Sequence, residues 1–173
     1  MNEARSILER CIDVCQHVET VEENLFVKQL FVLMLLTMAI LLLDCDSDVA
    51  RKRSVRKEFI AKAQWCLDTL RNKYWSEMAL VDRLYFYMSS SDLEYRQSNY
   101  TEAEEFARLA RDQAAEMGHN MEAVQAQKRL DFLRVITRGH AIDNDLQQSE
   151  SGGDNADCSS SEADSDWLTT IMN

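Results

Sequence analysis

Residues 99–118 read NYTEAEEFARLARDQAAEMG, and the spacing inside this stretch decides the fold. Ala103, Phe106, Ala107, Ala110, Ala114 and Met117 follow one another at steps of three, one, three, four and three, so they share one side of an α-helix. Thr101 and Glu104 have the spacing of a capping box and predict the helix start. Gly118 predicts its end, as a left-handed cap. Alanines dominate the inward side. Small residues at a crossing let a second helix come close, and the large residues beside them fill the groove.

Working outward, the same period continues in both directions. On the C-terminal side, Asn120 predicts a cap for a helix from Met121 to about Arg138, with Gly139 as its stop. On the N-terminal side, Ser76 predicts a cap for a helix over Glu77–Ser98, with Leu80, Leu84, Tyr87, Met88 and Leu93 inward. Before it, Val49–Tyr74 reads as one helix, basic at its start, with Ile60, Ala63, Cys66, Leu67 and Leu70 on one face. The joint Asp44-Cys45-Asp46-Ser47-Asp48 has alternating acids but lacks a calcium loop's glycine and closing glutamate, because Val49 and Val55 stand there. Asn2–Glu19 is amphipathic through Ile7, Leu8, Cys11, Ile12, Cys15 and Val18. Thr20 with Glu23 predicts the start of a second helix that runs through Leu43.

The chain contains no proline among its 173 residues, where average usage calls for about eight or nine. Helix interiors reject proline, so its absence fits long helices joined by short polar turns. Net charge is −11, unevenly placed: Gly139–Asn173 carries eight acids and no Lys or Arg, which leaves about −3 for the rest. No dominant basic face follows from these numbers, and nucleic acid is not an expected partner. Five cysteines, an odd number, and no cleavable leader predict reduced thiols in cytosol or nucleus. Beyond His140 the period disappears, and Gly152-Gly153, Ser159-Ser160-Ser161 and the acids predict a disordered tail. The expected division is a helical-hairpin domain over 1–139 and an acidic tail over 140–173.

A repeat underlies the helices. Glu58-Phe59 with Ala63 is echoed by Glu105-Phe106 with Ala110, and Arg83-Leu84-Tyr85-Phe86 by Arg129-Leu130-Asp131-Phe132. Over Ser98–Leu133, Tyr100, Ala103, Phe106, Ala107 and Ala110 stand where a tetratricopeptide repeat carries its turn aromatic and the small and large residues of its second helix. This stretch resembles that superfamily. Its continuation through Ala114-Ala115-Glu116-Met117-Gly118, Glu122-Ala123 and Leu130 looks like the longer repeats of cell-polarity and spindle-orientation scaffolds. Ser90 and Ser91 depart from the pattern, which has leucine and glycine there.

The resemblance implies an all-α, right-handed solenoid fragment of antiparallel hairpins that presents a concave face to a protein or peptide. The expected function is therefore a non-catalytic adaptor, without cofactor or metal, of cytoplasm or nucleus. The second, fourth and sixth helices would line the groove near Tyr85, Tyr87, Asp92, Tyr95, Gln125 and Arg129. Arg51-Lys52-Arg53 with Arg56 and Lys57 form a basic cluster that suits nuclear import or anionic lipid, or simply an exposed helix start. It makes Ser54 a candidate for a basophilic kinase. Ser151, Ser159 and Ser161 each precede an acid by three residues and suit acidophilic kinases. Trp167, Leu168, Ile171 and Met172 would form one side of a terminal docking helix, seated in a partner or in this chain's own groove.

Cys11, Cys15 and His17 do not make a metal site, and the two thiols read as core residues. No nucleophile elbow, phosphate loop or zinc-protease motif occurs. Two other functions stay open. Leu30–Leu43 has Thr37 as its only polar residue, and Leu25–Leu43 reads as a single membrane span or a central core helix. The uninterrupted part is about 21 Å long, shorter than the roughly 30 Å of hydrocarbon. Alternatively the chain is a transcription or cell-cycle regulator acting through its acidic tail.

Overall fold

The computed structural model describes residues 2–16 and 24–150, with only the backbone of 139–150 and of Asn2, Ala4, Cys15, Gln16 and Asp48. Among these residues all regular structure is helical: α1 (Asn2–Gln16), α2 (Leu25–Leu43), α3 (Asp48–Arg51), α4 (Lys57–Thr69) continued by a π turn (Leu70–Tyr74), α5 (Leu80–Arg96), α6 (Tyr100–Glu116) and α7 (Asn120–Glu150). Met1–His140 forms one compact unit and Ala141–Asn173 a second, of which the described part is the helical stretch 141–150.

The first unit is organised around α2. Its apolar residues run all round the helix, but burial selects Phe31, Val32, Leu35, Leu36, Met38, Ala39, Leu42 and Leu43. These pack against Ile12 of α1, Ala63, Cys66 and Leu67 of α4, Leu70 and Tyr74 of the π turn, and Phe86 and Leu93 of α5. Each fully buried Leu contributes roughly 1.5–3 kcal/mol, so α2 is the main apolar anchor of the fold. Asn24 starts α2: its Oδ1 accepts from Phe26 N at 2.9 Å and Val27 N at 3.4 Å. Asp44 ends it in the left-handed region, φ 48°.

α5 and α6 pack along their lengths, joined by residues 97–99. Ala110 and Ala114 meet Leu84 and Met88, with Ala126 of α7 closing the same cluster. Ala103 and Ala107 meet Leu130 and Leu133 of α7. The alanines that decided the sequence reading are thus fully buried at helix crossings. Ser91, where the repeat pattern departs, is buried too and donates its hydroxyl to Ala103 O at 2.8 Å, tying α5 to α6.

Several expectations are corrected. α2 begins at Leu25 with Asn24 as its cap, while Thr20 and Glu23 lie outside the described residues. Val49–Tyr74 is not one helix, because residues 52–56 are non-helical. α5 begins three residues later than expected, after Ala79, whose N–H is held by Asp82 Oδ2 at 3.2 Å, while the Ser76 hydroxyl donates to Glu77 at 2.7 Å. α6 begins at Tyr100, which places Thr101 inside the first turn and no capping box at its start. Gly139 does not stop α7, which continues to Glu150 through the start of the expected tail; a helical glycine costs about 1 kcal/mol but does not block the next hydrogen bond. Cys11 is exposed rather than core.

Candidate partner-binding groove

The break after α3 positions the site. Arg96, at the end of α5, donates Nε to Leu43 O (3.1 Å), Nη2 to Asp44 O (3.0 Å) and Ala50 O (3.0 Å), and Nη1 to Arg51 O (2.8 Å) and Arg53 O. A guanidinium has five N–H donors, and each meets a carbonyl. A continuous helix through 50–53 would turn these carbonyls along its own axis, away from Arg96. A basic first turn also opposes the helix dipole.

So folded, the joint presses Arg51 inward. Arg51 is 6 % exposed and Asp92 of α5 is 7 % exposed. Arg51 Nε lies 3.5 Å from Asp92 Oδ1, and its Nη2 donates to Cys45 O at 3.0 Å. Arg129 of α7 meets the same carboxylate, with Nε 3.1 Å from Oδ1 and Nη2 3.0 Å from Oδ2. Such a forked pair is the stronger class of hydrogen bond. One carboxylate therefore joins the 44–53 joint, α5 and α7.

Beside this network lie two connected hollows. The deeper, of about 130 Å³, is floored by Ile40, Cys45, Met88 and Ser89 and walled by Tyr85, Asp92, Gln125 and Arg129. The Ser89 hydroxyl is buried and has no hydrogen-bond partner among the described residues. A buried polar group without a partner is costly, so this floor offers a hydrogen bond to an incoming group. The wider hollow, of about 530 Å³, is lined by Asp46, Ser47, Arg51, Gln125, Lys128 and Arg129. The two share Asp46, Gln125 and Arg129. Arg51 and Arg129 already share Asp92, so across both hollows three cations stand against the two carboxylates Asp46 and Asp92, and Lys128 is the exposed cation of the rim.

Four of the six expected groove residues, Tyr85, Asp92, Gln125 and Arg129, meet in the deeper hollow. Tyr95 lies one turn further on, in a closed cleft with Arg51, Phe132 and Leu133, its ring 5.4 Å from that of Phe132. Burial raises its pKa. Burial first, then Glu122, raises the pKa of Tyr85, whose hydroxyl donates to Glu122 Oε1 at 3.3 Å. Tyr87 is elsewhere, packed against Trp75, Phe86 and Phe106. Two residues along a helix is a rotation of about 200°, which sets Tyr87 opposite Tyr85. Ser89, Asp46 and Lys128 were missed. Ser89 follows Tyr85 by four residues and Lys128 follows Gln125 by three, so their spacing carried the signal.

Of the basic cluster, Lys52, Arg53, Arg56 and Lys57 are exposed, while Arg51 belongs to the groove. Ser54 is exposed on the non-helical segment. His17, the candidate phosphosites Ser151, Ser159 and Ser161, and the docking residues Trp167, Leu168, Ile171 and Met172 lie outside the described residues. Comparison with known proteins finds no matching family model, no matching curated protein and no matching solved structure.

Proposed function

We propose that the chain is a non-catalytic protein–protein adaptor, a tetratricopeptide-like solenoid fragment whose hairpins α2/α4 and α5/α6 are followed by α7. The observation that carries this reading is the pair of connected hollows lined by the first helix of each hairpin and by α7, with Ile40, Tyr85, Met88, Gln125 and Arg129 converging. A solenoid uses this side to take a peptide or helix. Exposed Lys128 at the rim, beside Arg129, favours a partner segment that bears carboxylates. Cell-division or polarity assemblies are the setting that the repeat resemblance suggests, in cytoplasm or nucleus. The packing of α2 among α1, α4 and α5 supports its role as a core helix, although its 19 residues have a mean hydropathy of 2.4 and equal a membrane span in length.

The test uses the full chain with a photo-crosslinking residue at Gln125 and, separately, at Arg108, which is exposed on α6 away from the groove. A partner captured from Gln125 and not from Arg108, and lost on Lys128→Glu with helicity unchanged by circular dichroism, is the expected result. Equal capture from both positions, or indifference to Lys128→Glu, would refute the groove. For α2, carbonate extraction of a cell fraction should release the protein; retention in the pellet would favour the membrane reading.

A further inference from the structure

A separate hollow, of about 250 Å³, is lined by Arg5 of α1, by Leu41, Leu42 and Asp44 at the end of α2, by residues 54–56 and by Phe59 of α4. Arg5 of α1 and Arg56 both border it, with Ser54 between them in sequence and Phe59 beneath. The Arg5 guanidinium carbon is 4.3 Å from the centre of the Phe59 ring, and that of Arg56 is 5.7 Å from the same centre. Two like charges are thus gathered on one aromatic ring. Among the described residues neither has a carboxylate at ion-pair distance. The one acid lining the hollow is Asp44. Cation–π contacts hold the guanidiniums in place but leave their charge uncompensated.

Ser54 is exposed and sits on the non-helical segment between α3 and α4. Lys52 and Arg53, also exposed, immediately precede it, whereas Arg51 is engaged with Asp92. We propose that Ser54 is a phosphorylation site and that this hollow is the seat of its phosphate, gripped by Arg5 and Arg56. The donor is ATP on a protein kinase that reads basic residues. The Ser54 oxygen forms a bond to the γ-phosphorus, the bond from that phosphorus to the bridging β–γ oxygen breaks, ADP leaves, and the hydroxyl proton passes to the kinase's base. The product brings a charge of about −2, which matches the two guanidiniums.

The consequence falls on α1. Among the described side chains of this helix, Ile12 is the one fully buried in the core, and Lys62–Glu9, at 3.0 Å, is a surface pair about a third exposed and worth little. A phosphate bonded to both Arg5 and Arg56 clamps α1 onto the start of α4.

The experiment uses the full chain with phosphoserine genetically encoded at position 54. Phosphorus NMR should place its second ionisation roughly one unit below the value of about 6 for a free phosphoserine, because paired cations favour the dianion. Hydrogen exchange of the α1 amides should slow by roughly tenfold, the factor that corresponds to one pKa unit. Arg5→Gln and Arg56→Gln should each return both readouts toward the free values, every variant being compared with and without the phosphate. Millimolar inorganic phosphate added to the unmodified chain should leave α1 exchange unchanged. In a parallel arm, a basic-directed kinase with ATP should modify Ser54, as mapped by mass spectrometry, and Ser54→Ala should remove that label. An unshifted phosphorus titration overturns the seat. Slowing by free phosphate alone makes the hollow a site for soluble anions and overturns the role of Ser54, as does a kinase that labels other serines and leaves this one.

Discussion

Arg96 shows how one side chain sets a local fold. Its five donors take carbonyls from the end of α2, from α3 and from the segment beyond, and those carbonyls lie 43 to 53 residues away in the chain. Lysine has three donors and no planar fork, so Arg96→Lys cannot replace it. We expect Arg96→Lys to lower unfolding free energy by about 2 kcal/mol in urea titrations and to speed amide exchange over 45–53. A variant with unchanged exchange there would mean that the joint holds its shape without this clamp. The thiols give a second residue-scale prediction. Burial pushes Cys45 up from 9.0 to about 12, with Asp92 adding to the rise and Arg96 and Arg51 opposing it; burial does the same to Cys66, with Lys62 opposing. Both groups stay protonated in the folded chain while the unfolded chain ionises near 9, so the unfolded state loses protons first and stability falls as pH rises from 9 toward 12. Cys45→Ala with Cys66→Ala should flatten that part of the alkaline slope. At pH 8, iodoacetamide should label exposed Cys11 and spare Cys45 and Cys66 until denaturant is added.

At the scale of elements, helix ends separate what local sequence specifies from what distant residues impose. α6 ends as its sequence announces: Gly118 has φ 71°, Gly118 N reaches Ala115 O at 3.1 Å, and His119 N reaches Ala114 O at 2.8 Å. α5 ends on the same geometry, with Asn99 N on Glu94 O at 2.9 Å, but the left-handed position holds Ser98, φ 65°. A side chain there is strained by roughly 1 kcal/mol, so Ser98→Gly should raise stability by about 0.5–1 kcal/mol and Gly118→Ala should lower it by about 1 kcal/mol. Opposite signs in matched thermal melts are the expected outcome, and a loss on Ser98→Gly would show that the serine contributes a bond the geometry does not reveal. The alanine spacing of α6 and the inward Leu84 and Met88 were legible because a helical period is a local property. The break at 52–56 was not legible, because it depends on Arg96 and Asp92, some 40 residues distant. The groove was partly legible for the same reason: Tyr85 and Asp92 share a helical face, whereas membership of the groove-lining helix alone does not say which way Tyr87 turns.

At the scale of the molecule, Asp92 ties the 44–53 joint to α7. Its side chain is 10 % exposed, and those of Arg51 and Arg129 are 6 % and 11 % exposed, so the ions are largely removed from water. Desolvation offsets much of the attraction in such a cluster, and its net contribution to stability is small while it is intact. Removing one member is another matter. Asp92→Ala leaves Arg129 and Arg51 buried without this carboxylate and should cost about 3 kcal/mol, whereas Asp92→Leu combined with Arg129→Met removes one of the two stranded charges, leaves Arg51 on Cys45 O, and should recover part of that loss. Urea titrations of the three proteins measure the difference. If the single and double variants lose equally, the stranded charge of Arg129 is not responsible. The double variant also bears on function: it keeps the helices while removing the Arg129 guanidinium from the groove, so a partner that recognises the rim should dissociate faster from it although its circular dichroism is that of the native chain. Stability restored with binding lost would assign the cluster to recognition, because the same charges that add little to folding set the sign of the surface that a partner meets.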